Sequence, residues 1–296
     1  MEAGTRTATA SRRQLVADYV QMTKPKVQSL LLFTTVTTMY VAGDPSVGLV
    51  LLTCVGGALS AGGAGAINHA LDRDIDAVMK RTSGRPVPSG RVSARAAIVY
   101  GVILGCASFA LLALAVNPLA AVLAMGGLLG YVLVYTLWLK RSTPQNIVIG
   151  GAAGAMPPLV AWAAVTGGLD GAALYLFAIV FYWTPPHFWA LSLLMKDEYE
   201  RAGVPMLPVV RGEGETRRQI LLYSLLLLAV SVLPFAGRLF DGLYLAAALG
   251  LGSVFVALTV VLLRRADRRS ALRVYLCSLA YLALLFAAMV VDSRIV

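Results

Sequence analysis

Cysteine and histidine are scarce in this chain: three cysteines and two histidines stand among 296 residues. Cys54, Cys106 and Cys277 are scattered through apolar stretches, form no CxxC pair and read as packing residues. That excludes a disulfide framework and a cysteine metal site. His69 and His187 lie far apart, so neither a zinc-type cluster nor a Ser-His-Asp grouping is visible. Charge is scarce too. Charged residues make up 14% of the chain against 58% apolar ones, at a mean hydropathy of +0.77. Soluble globular domains carry roughly 25% charge, so composition excludes that class. No cleavable signal peptide is expected, because the basic N-terminus precedes an apolar segment without a small-residue cleavage site. The Arg, Ser and Thr of the arm suit a short transit peptide, but Glu2, Asp18 and the arm's brevity argue against one.

Long apolar runs are what the chain has in quantity. Nine can be drawn, at 27–41, 47–71, 94–116, 119–139, 146–165, 172–195, 220–236, 243–263 and 272–291. The expected fold is an all-α integral membrane protein, with nine transmembrane helices bundled around a central cavity. It forms one membrane domain over 1–296, with an N-terminal arm at 1–24 and the bundle at 25–292. Pro157, Pro158, Pro185, Pro186 and Pro234 fall in or beside helical segments. In lipid such helices persist where neighbours satisfy the freed backbone groups, so kinked helices are expected.

The basic residues set the orientation. With a cytoplasmic N-terminus, 23 of the 25 Lys and Arg fall on the cytoplasmic side, and only Arg238 and Arg294 fall opposite. The net charge of +10 is therefore a topology signal. It favours contact with anionic lipid and is no argument for a nucleic-acid partner. The two long loops, 72–93 and 196–219, are separated by an even number of spans and share the cytoplasmic face. Each opens with acidic residues at the end of an apolar run, which suggests two halves facing one another.

The first of these loops carries the strongest chemical signal, in NHALDRDIDAVMKR at 68–81. Asn68, Asp72 and Asp76 are spaced by four and share one helical face, while Asp74 points elsewhere. One amide oxygen and two carboxylates make a hard oxygen site suited to Mg²⁺, which binds through few carboxylates together with substrate phosphates. Lys80, Arg81, Arg85 and Arg91 follow, and arginine offers a planar fork of donors to phosphate. This order suits a diphosphate substrate; the plainer reading is a helix end solvated by charge. The second loop repeats the order, with Asp197, Glu198 and Glu200 beside Lys196, Arg201 and Arg211. Opposed carboxylates from the two loops would hold one or two Mg²⁺ ions across the diphosphate. The alternative is an ordinary interhelical loop.

His187 sits in TPPHFWAL, at membrane depth among aromatics. A buried ionisable group there is a functional candidate by default. It suits ligation of heme iron, proton transfer, or a hydrogen-bonded place in the bundle. His69 points off the ligand face and reads as support.

The motif N68-x3-D72-x3-D76, followed by R81-T-x2-R85-P, resembles the UbiA superfamily of intramembrane aromatic prenyltransferases. MTKPKV before the first span, YWTPPHFWALSLLMKDEYERAGVPMLPVV at the sixth and the first acidic loop itself resemble its heme-modifying branch. The resemblance runs from about Val20 onward. It implies nine helices and two acidic motifs, after helices two and six. One departure stands out: the second motif is often of DxxxD type, and here it reads D197-E198-Y199-E200, with Glu198 beside Tyr199 the best match.

The resemblance implies Asp72, Asp76, Glu198 and Tyr199 as catalytic residues. Mg²⁺ would be held by Asn68, Asp72, Asp76, Asp197 and Glu198, and diphosphate by Lys80, Arg81, Arg85, Lys196 and Arg201. His187 would face heme. It also implies the reaction: farnesyl diphosphate ionises with Mg²⁺, a vinyl group of heme b attacks the allylic carbon, and water completes the substituent of heme o. The product would pass to a heme A synthase or an oxidase, in a bacterial inner membrane. Tyr131, Tyr135, Phe181, Tyr182 and Trp183 offer π faces to a cation, or simply pack. Two other readings remain: a UbiA-type enzyme with a quinone-precursor or chlorophyllide acceptor, and a transporter with an anion site at its cytoplasmic mouth.

Topology gives the first prediction. Reporter fusions after Arg91 and after Arg211 are expected to signal the same, cytoplasmic side; opposite signals would overturn the nine-span map.

Overall fold

The computed structural model describes residues 12–295, which are helical with no strand among them. Residues 1–11, with Arg6 and the first part of the expected cytoplasmic arm, lie outside the described residues. A short helix α1 (Arg12–Met22) leads into α2 (Pro25–Ala42), α3 (Val47–Leu71) and the single-turn α4 (Arg73–Val78). Then follow α5 (Ala94–Ala115), α6 (Pro118–Ser142), α7 (Asn146–Thr166), α8 (Gly171–Leu194) and α9 (Lys196–Arg201). The chain ends with α10 (Gly212–Ala236), α11 (Gly242–Arg265) and α12 (Arg268–Ile295).

Capping residues fix several starts. The Ser46 hydroxyl accepts from Leu49 N at 3.2 Å and the Ser93 hydroxyl from Ala96 N at 3.1 Å. Asn117 caps α6 at Ala120 N (2.8 Å), ahead of Pro118, and Asp170 caps α8 at Ala172 N (2.9 Å).

Among the described residues seven helices are long and apolar enough to cross a membrane: α3, α5, α6, α7, α10, α11 and α12. The expected spans at 27–41 and 172–195 also form helices, α2 and α8, but fall outside that measure. Their composition explains it. Helix α2 has 18 residues and carries Thr34, Thr35, Thr37 and Thr38; α8 carries Pro185, Pro186 and His187 among its aromatics. Both face protein rather than lipid along much of their length, so they need less hydropathy.

Proline acts as expected in α7, which breaks at Ala155 just ahead of Met156-Pro157-Pro158. Helix α8 runs on through Pro185 and Pro186. Helix α6 departs from α geometry over Gly130–Leu139, a ten-residue π-helical stretch. Such stretches are rare and concentrate at functional sites.

Close approach holds α3 to α5. A Cβ at Gly63 would lie 2.6 Å from the Gly101 carbonyl oxygen, so only glycine permits this spacing. At the far end of the bundle α12 meets α2: Arg294 pairs with Asp44 and donates to Tyr40 O (3.2 Å) and Gly43 O (3.1 Å). The last helix thus closes against the first long one.

Asp292, only 2% exposed, supplies a cap across helices. Its carboxylate accepts from Asp241 N at 2.7 Å and from Tyr244 N at 2.9 Å, where α11 begins. No side chain of that segment caps α11 itself. Asp292→Ala removes both acceptors and leaves the amides without them. A loss of roughly 1–3 kcal/mol is expected, read as a lower thermal midpoint of the detergent-purified protein, with Asp292→Asn recovering part of it. An unchanged midpoint would show that the cap is dispensable.

Candidate active site

The spaced oxygens of the first acidic loop fall together. Asp72 joins α3 to α4 without losing the helical hydrogen-bond register: Asp72 N bonds Asn68 O at 2.9 Å and Asp76 N bonds Asp72 O at 2.8 Å. Asn68, Asp72 and Asp76 therefore share one face and are buried, at 3%, 1% and 2% exposure. Asp74 turns outward, its side chain 61% exposed. Two hydrogen bonds from Arg141, at 2.7 and 2.8 Å, hold its carboxyl well below the usual carboxylate range.

Cations meet the buried carboxylates. Arg85 Nη1 spans both oxygens of Asp76 at 2.9 and 2.7 Å. Lys140 Nζ lies 2.5 Å from Asp72 Oδ2, which also accepts from Asn68 Nδ2 at 2.6 Å. Lys24 Nζ donates to Asn68 Oδ1 at 2.6 Å and stands 3.5 Å from the Tyr131 hydroxyl. Thr136 completes the set, 3.1 Å from Asn68 Nδ2. The Lys24 ammonium is drawn down to about 7, first by lost hydration and then by facing Arg85 and Lys140. An arriving anion would oppose that repulsion.

In the sequence Lys140 and Thr136 carry no sign of a role here, and Lys24 stands only as a topology charge and part of a motif. The π-helical stretch brings Thr136 and Lys140 to the α3–α4 junction, with the Thr136 hydroxyl bonded to Tyr131 O, five residues back, at 2.9 Å. The available signal was the Lys140-Arg141 pair at the end of an apolar run.

The second acidic loop contributes one carboxylate. Glu198 Oε2 accepts from Arg81 N at 3.4 Å, which ties the two loops together. Tyr199 is buried beside it, its hydroxyl pushed up by burial within the field of Arg81, Arg85 and Asp72. Lys196 and Asp197 instead line a separate crevice with Glu213, Arg217, Asp267 and Arg268. Successive residues of α9 point about 100° apart, so Asp197 and Glu198 do not both face the first loop. Glu200 and Arg201 are exposed, and Arg201 bonds back to Asp197 O at 3.1 Å. The side chains of Lys80 and Arg81 are exposed at the rim.

The oxygen set fits a hard divalent cation. Asp72 Oδ1 is buried with no hydrogen-bond partner, and Arg141 Nη2 stands 3.7 Å from it. Among the described residues no three carboxylates, imidazoles or thiols converge. The donors are two carboxylates and an amide oxygen, a sparse set of the kind Mg²⁺ accepts when phosphates and waters complete its octahedron.

Beside this polar cluster lies an apolar cleft of about 260 Å³ between α2, α3, α6 and α7. Lys24 and Tyr131 stand at one end, and Thr35, Thr53 and Val160 line its deeper part. The small residues of GGALSAGGAGA form its α3 wall. Of the aromatic candidates Tyr131 lines the cleft and packs on Tyr135 at 5.4 Å. Phe181 and Tyr182 pack on each other at 5.2 Å.

His187 lies elsewhere, about 10 Å along α8 from its end at Leu194. Its ring stacks between Trp183 (4.3 Å) and Tyr275 (4.9 Å), and Nδ1 bonds the Ser278 hydroxyl at 2.6 Å. His69 is buried with neither ring nitrogen hydrogen-bonded.

Comparison with known proteins bears on the family and the fold. The UbiA prenyltransferase family model matches residues 30–288. A protoheme IX farnesyltransferase of Chloroflexus aurantiacus is 56% identical over 286 residues, covering 96% of this chain and 49% of that protein. Another, from Symbiobacterium thermophilum, is 56% identical over 283 residues, covering 94% of this chain and 95% of that protein. The chain thus spans about half the length of some relatives and nearly all of others. Among solved structures, a digeranylgeranylglyceryl phosphate synthase superposes with a TM-score of 0.78 at 18% identity, over 95% of this chain and 99% of that one. A UbiA homologue of Archaeoglobus fulgidus bound to GPP and Mg²⁺ gives 0.67 at 17% identity, over 92% and 99%. At those identities the likeness is one of fold.

Proposed function

The chain belongs to the UbiA prenyltransferase family, and from that premise we propose that it transfers the farnesyl group of farnesyl diphosphate to a vinyl group of heme b, giving heme o. One observation carries the reading: a buried, oxygen-bearing face ringed by cations, with an apolar cleft opening beside it. An anionic head and a long apolar tail need those two surfaces in contact. The names of the relatives support heme as the acceptor.

The residues divide the work as follows. Lys24, Arg85 and Lys140 receive the diphosphate, with Lys80 and Arg81 at the rim, while Lys196 and Arg201 stand apart. Asn68, Asp72, Asp76 and Glu198 would hold Mg²⁺, which when bound offsets the charge growing on the departing diphosphate. The same cations act on that charge in a site largely closed to water. The C–O bond breaks, and the allylic carbon becomes cationic beside the π faces of Tyr131 and Tyr135. The cleft's apolar walls keep water from it. The heme vinyl group bonds the allylic carbon; water then adds to the vinyl carbon left cationic and releases a proton. His187 is a heme-facing residue in this reading, its ring fixed by Ser278 and two aromatic neighbours. The protein works in a bacterial inner membrane, with its N-terminus and both acidic loops cytoplasmic, and heme o leaves for a heme A synthase or an oxidase.

The central test is purified protein with heme b, farnesyl diphosphate and Mg²⁺, analysed by mass spectrometry. Heme o is the expected product; its absence, with product from a quinone precursor, would replace the acceptor. Asp72→Ala and Asp76→Ala are expected to abolish turnover while the protein stays in the membrane. Asp74→Ala, which alters an outward-facing group, is expected to keep most of it. Equal loss at all three positions would contradict the shared face.

His187 has a separate test. His187→Ala, titrated with heme by absorption spectroscopy, is expected to bind heme more weakly with a changed spectrum. Wild-type spectrum and affinity would exclude ligation by His187.

A further inference from the structure

The tail cleft has a measurable depth, and two small residues stand along it. On α3 the lining runs from Gly65, beside the Met22 and Thr23 carbonyls next to Lys24, to Thr53. At 1.5 Å per residue these positions are about 18 Å apart along the axis, and Gly57 lies about 12 Å from Gly65. An extended chain gains roughly 1.2 Å per main-chain bond, hence about 5 Å for each four-bond isoprene unit. Two units reach about 10 Å, three about 14 Å and four about 19 Å. Gly57 therefore stands level with the third unit, and Thr53 near where a fourth would end.

The space at these positions differs in kind. A Cβ at Gly57 would meet nothing within 4 Å, so a side chain there would extend into open space rather than into a neighbouring helix. The same holds at Gly154, on the α7 wall of the cleft. By contrast Gly63, on the face turned to α5, is closed by backbone. Thr53 is among the residues that line the cleft and is fully buried; its hydroxyl is bonded to Leu49 O at 2.8 Å, so its methyl is the group left to close the cleft at that depth.

We infer that Gly57 admits the third isoprene unit and Thr53 limits the fourth, so that this pair selects the length of the transferred chain. The inference rests on the prenyl-transfer reading above and adds to it the residues that set chain-length specificity. Gly57→Leu fills the cleft at the level of the third unit and leaves the first two their room. Thr53→Gly deepens it.

The experiment gives purified wild type, Gly57→Ala, Gly57→Leu, Gly154→Leu and Thr53→Gly an equimolar mixture of geranyl, farnesyl and geranylgeranyl diphosphates. Heme b and Mg²⁺ are supplied, and the heme products are counted by mass. Thermal stabilisation by each diphosphate alone is measured in parallel, as a binding readout that needs no heme. Wild type is expected to favour farnesyl. Gly57→Leu is expected to shift the farnesyl-to-geranyl ratio toward geranyl by roughly 10- to 200-fold, the range a hydrophobic pocket gives for a change of a methylene or more. Gly57→Ala should move it in the same direction by less, and Thr53→Gly should raise the geranylgeranyl share. A folded Gly57→Leu protein with the wild-type ratio in both readouts overturns the inference, as does a ratio moved as far by Gly154→Leu as by Gly57→Leu. If no variant, wild type included, makes a prenylated heme, the failure lies with the proposed acceptor, and the stabilisation series still decides the chain-length claim.

Discussion

Two carboxylates withdrawn from water at the edge of a membrane are the constraint on which this structure turns. Asp72 and Asp76 are 1% and 2% exposed, and a buried ion without a partner is costly by several kcal/mol. Their partners come from different parts of the chain: Lys140 from the end of α6, Arg85 from the loop after α4, and Lys24, through Asn68, from the corner before α2. The carboxylates thus make the fold assemble three separate segments around one point. Those partners are the kind of group a phosphate would also recruit. What balances the carboxylates is therefore also what can receive an anion.

The Lys24 corner shows how far the chain is bent to meet this need. Lys24 has φ of +56°, although it carries a Cβ and precedes proline. A left-handed conformation costs an L-residue about 1–2 kcal/mol. Several contacts hold it: Met22 is fully buried beneath, the Thr23 hydroxyl bonds Val20 O at 2.8 Å, and Gln28 Nε2 bonds Thr23 O at 2.7 Å. Helix α1 is itself tied down by buried Asp18, which accepts from Arg91 Nε and Nη2 at 3.0 Å. Arg91 in turn reaches Gly84 O at 3.1 Å, next to Arg85. One chain of contacts therefore places both Lys24 and Arg85, and α1 belongs to the site although it touches no carboxylate of it.

The parts of this arrangement legible in the sequence were those with a period or a composition. Apolar runs marked the helices, Pro157 and Pro158 marked the break in α7, and the four-residue spacing of Asn68, Asp72 and Asp76 placed them on one face with Asp74 outside it. Contacts between distant segments left less trace. Lys140 looked like a topology charge because its role depends on a π-helical turn, which no simple period announces. Glu198 stood out from Asp197 only through the resemblance of its motif, because spacing alone cannot rank adjacent carboxylates until the direction of α9 is known. The mixed composition of α2 and α8 has the same origin. Threonines in α2 and the prolines and histidine of α8 are tolerated where those helices meet protein, so composition understates two helices that the bundle nevertheless forms.

The junction between polar cluster and apolar cleft also bears on which step the protein favours. Lys24 belongs to both surfaces, bonding Asn68 on one side and lining the cleft on the other. Its charge is held down first by lost hydration and then by Arg85 and Lys140, and a negative charge arriving nearby would offset the repulsion from those two cations. In the prenyl-transfer reading proposed above, the interaction of Lys24 with a diphosphate would therefore strengthen as the charge on that group grows. Growth of charge accompanies C–O cleavage, so the gain is larger at the transition state than in the bound substrate, which is the condition for accelerating a step rather than merely binding its reactant. The apolar walls below act in the same direction, because a low-dielectric neighbour increases the weight of each of these charges.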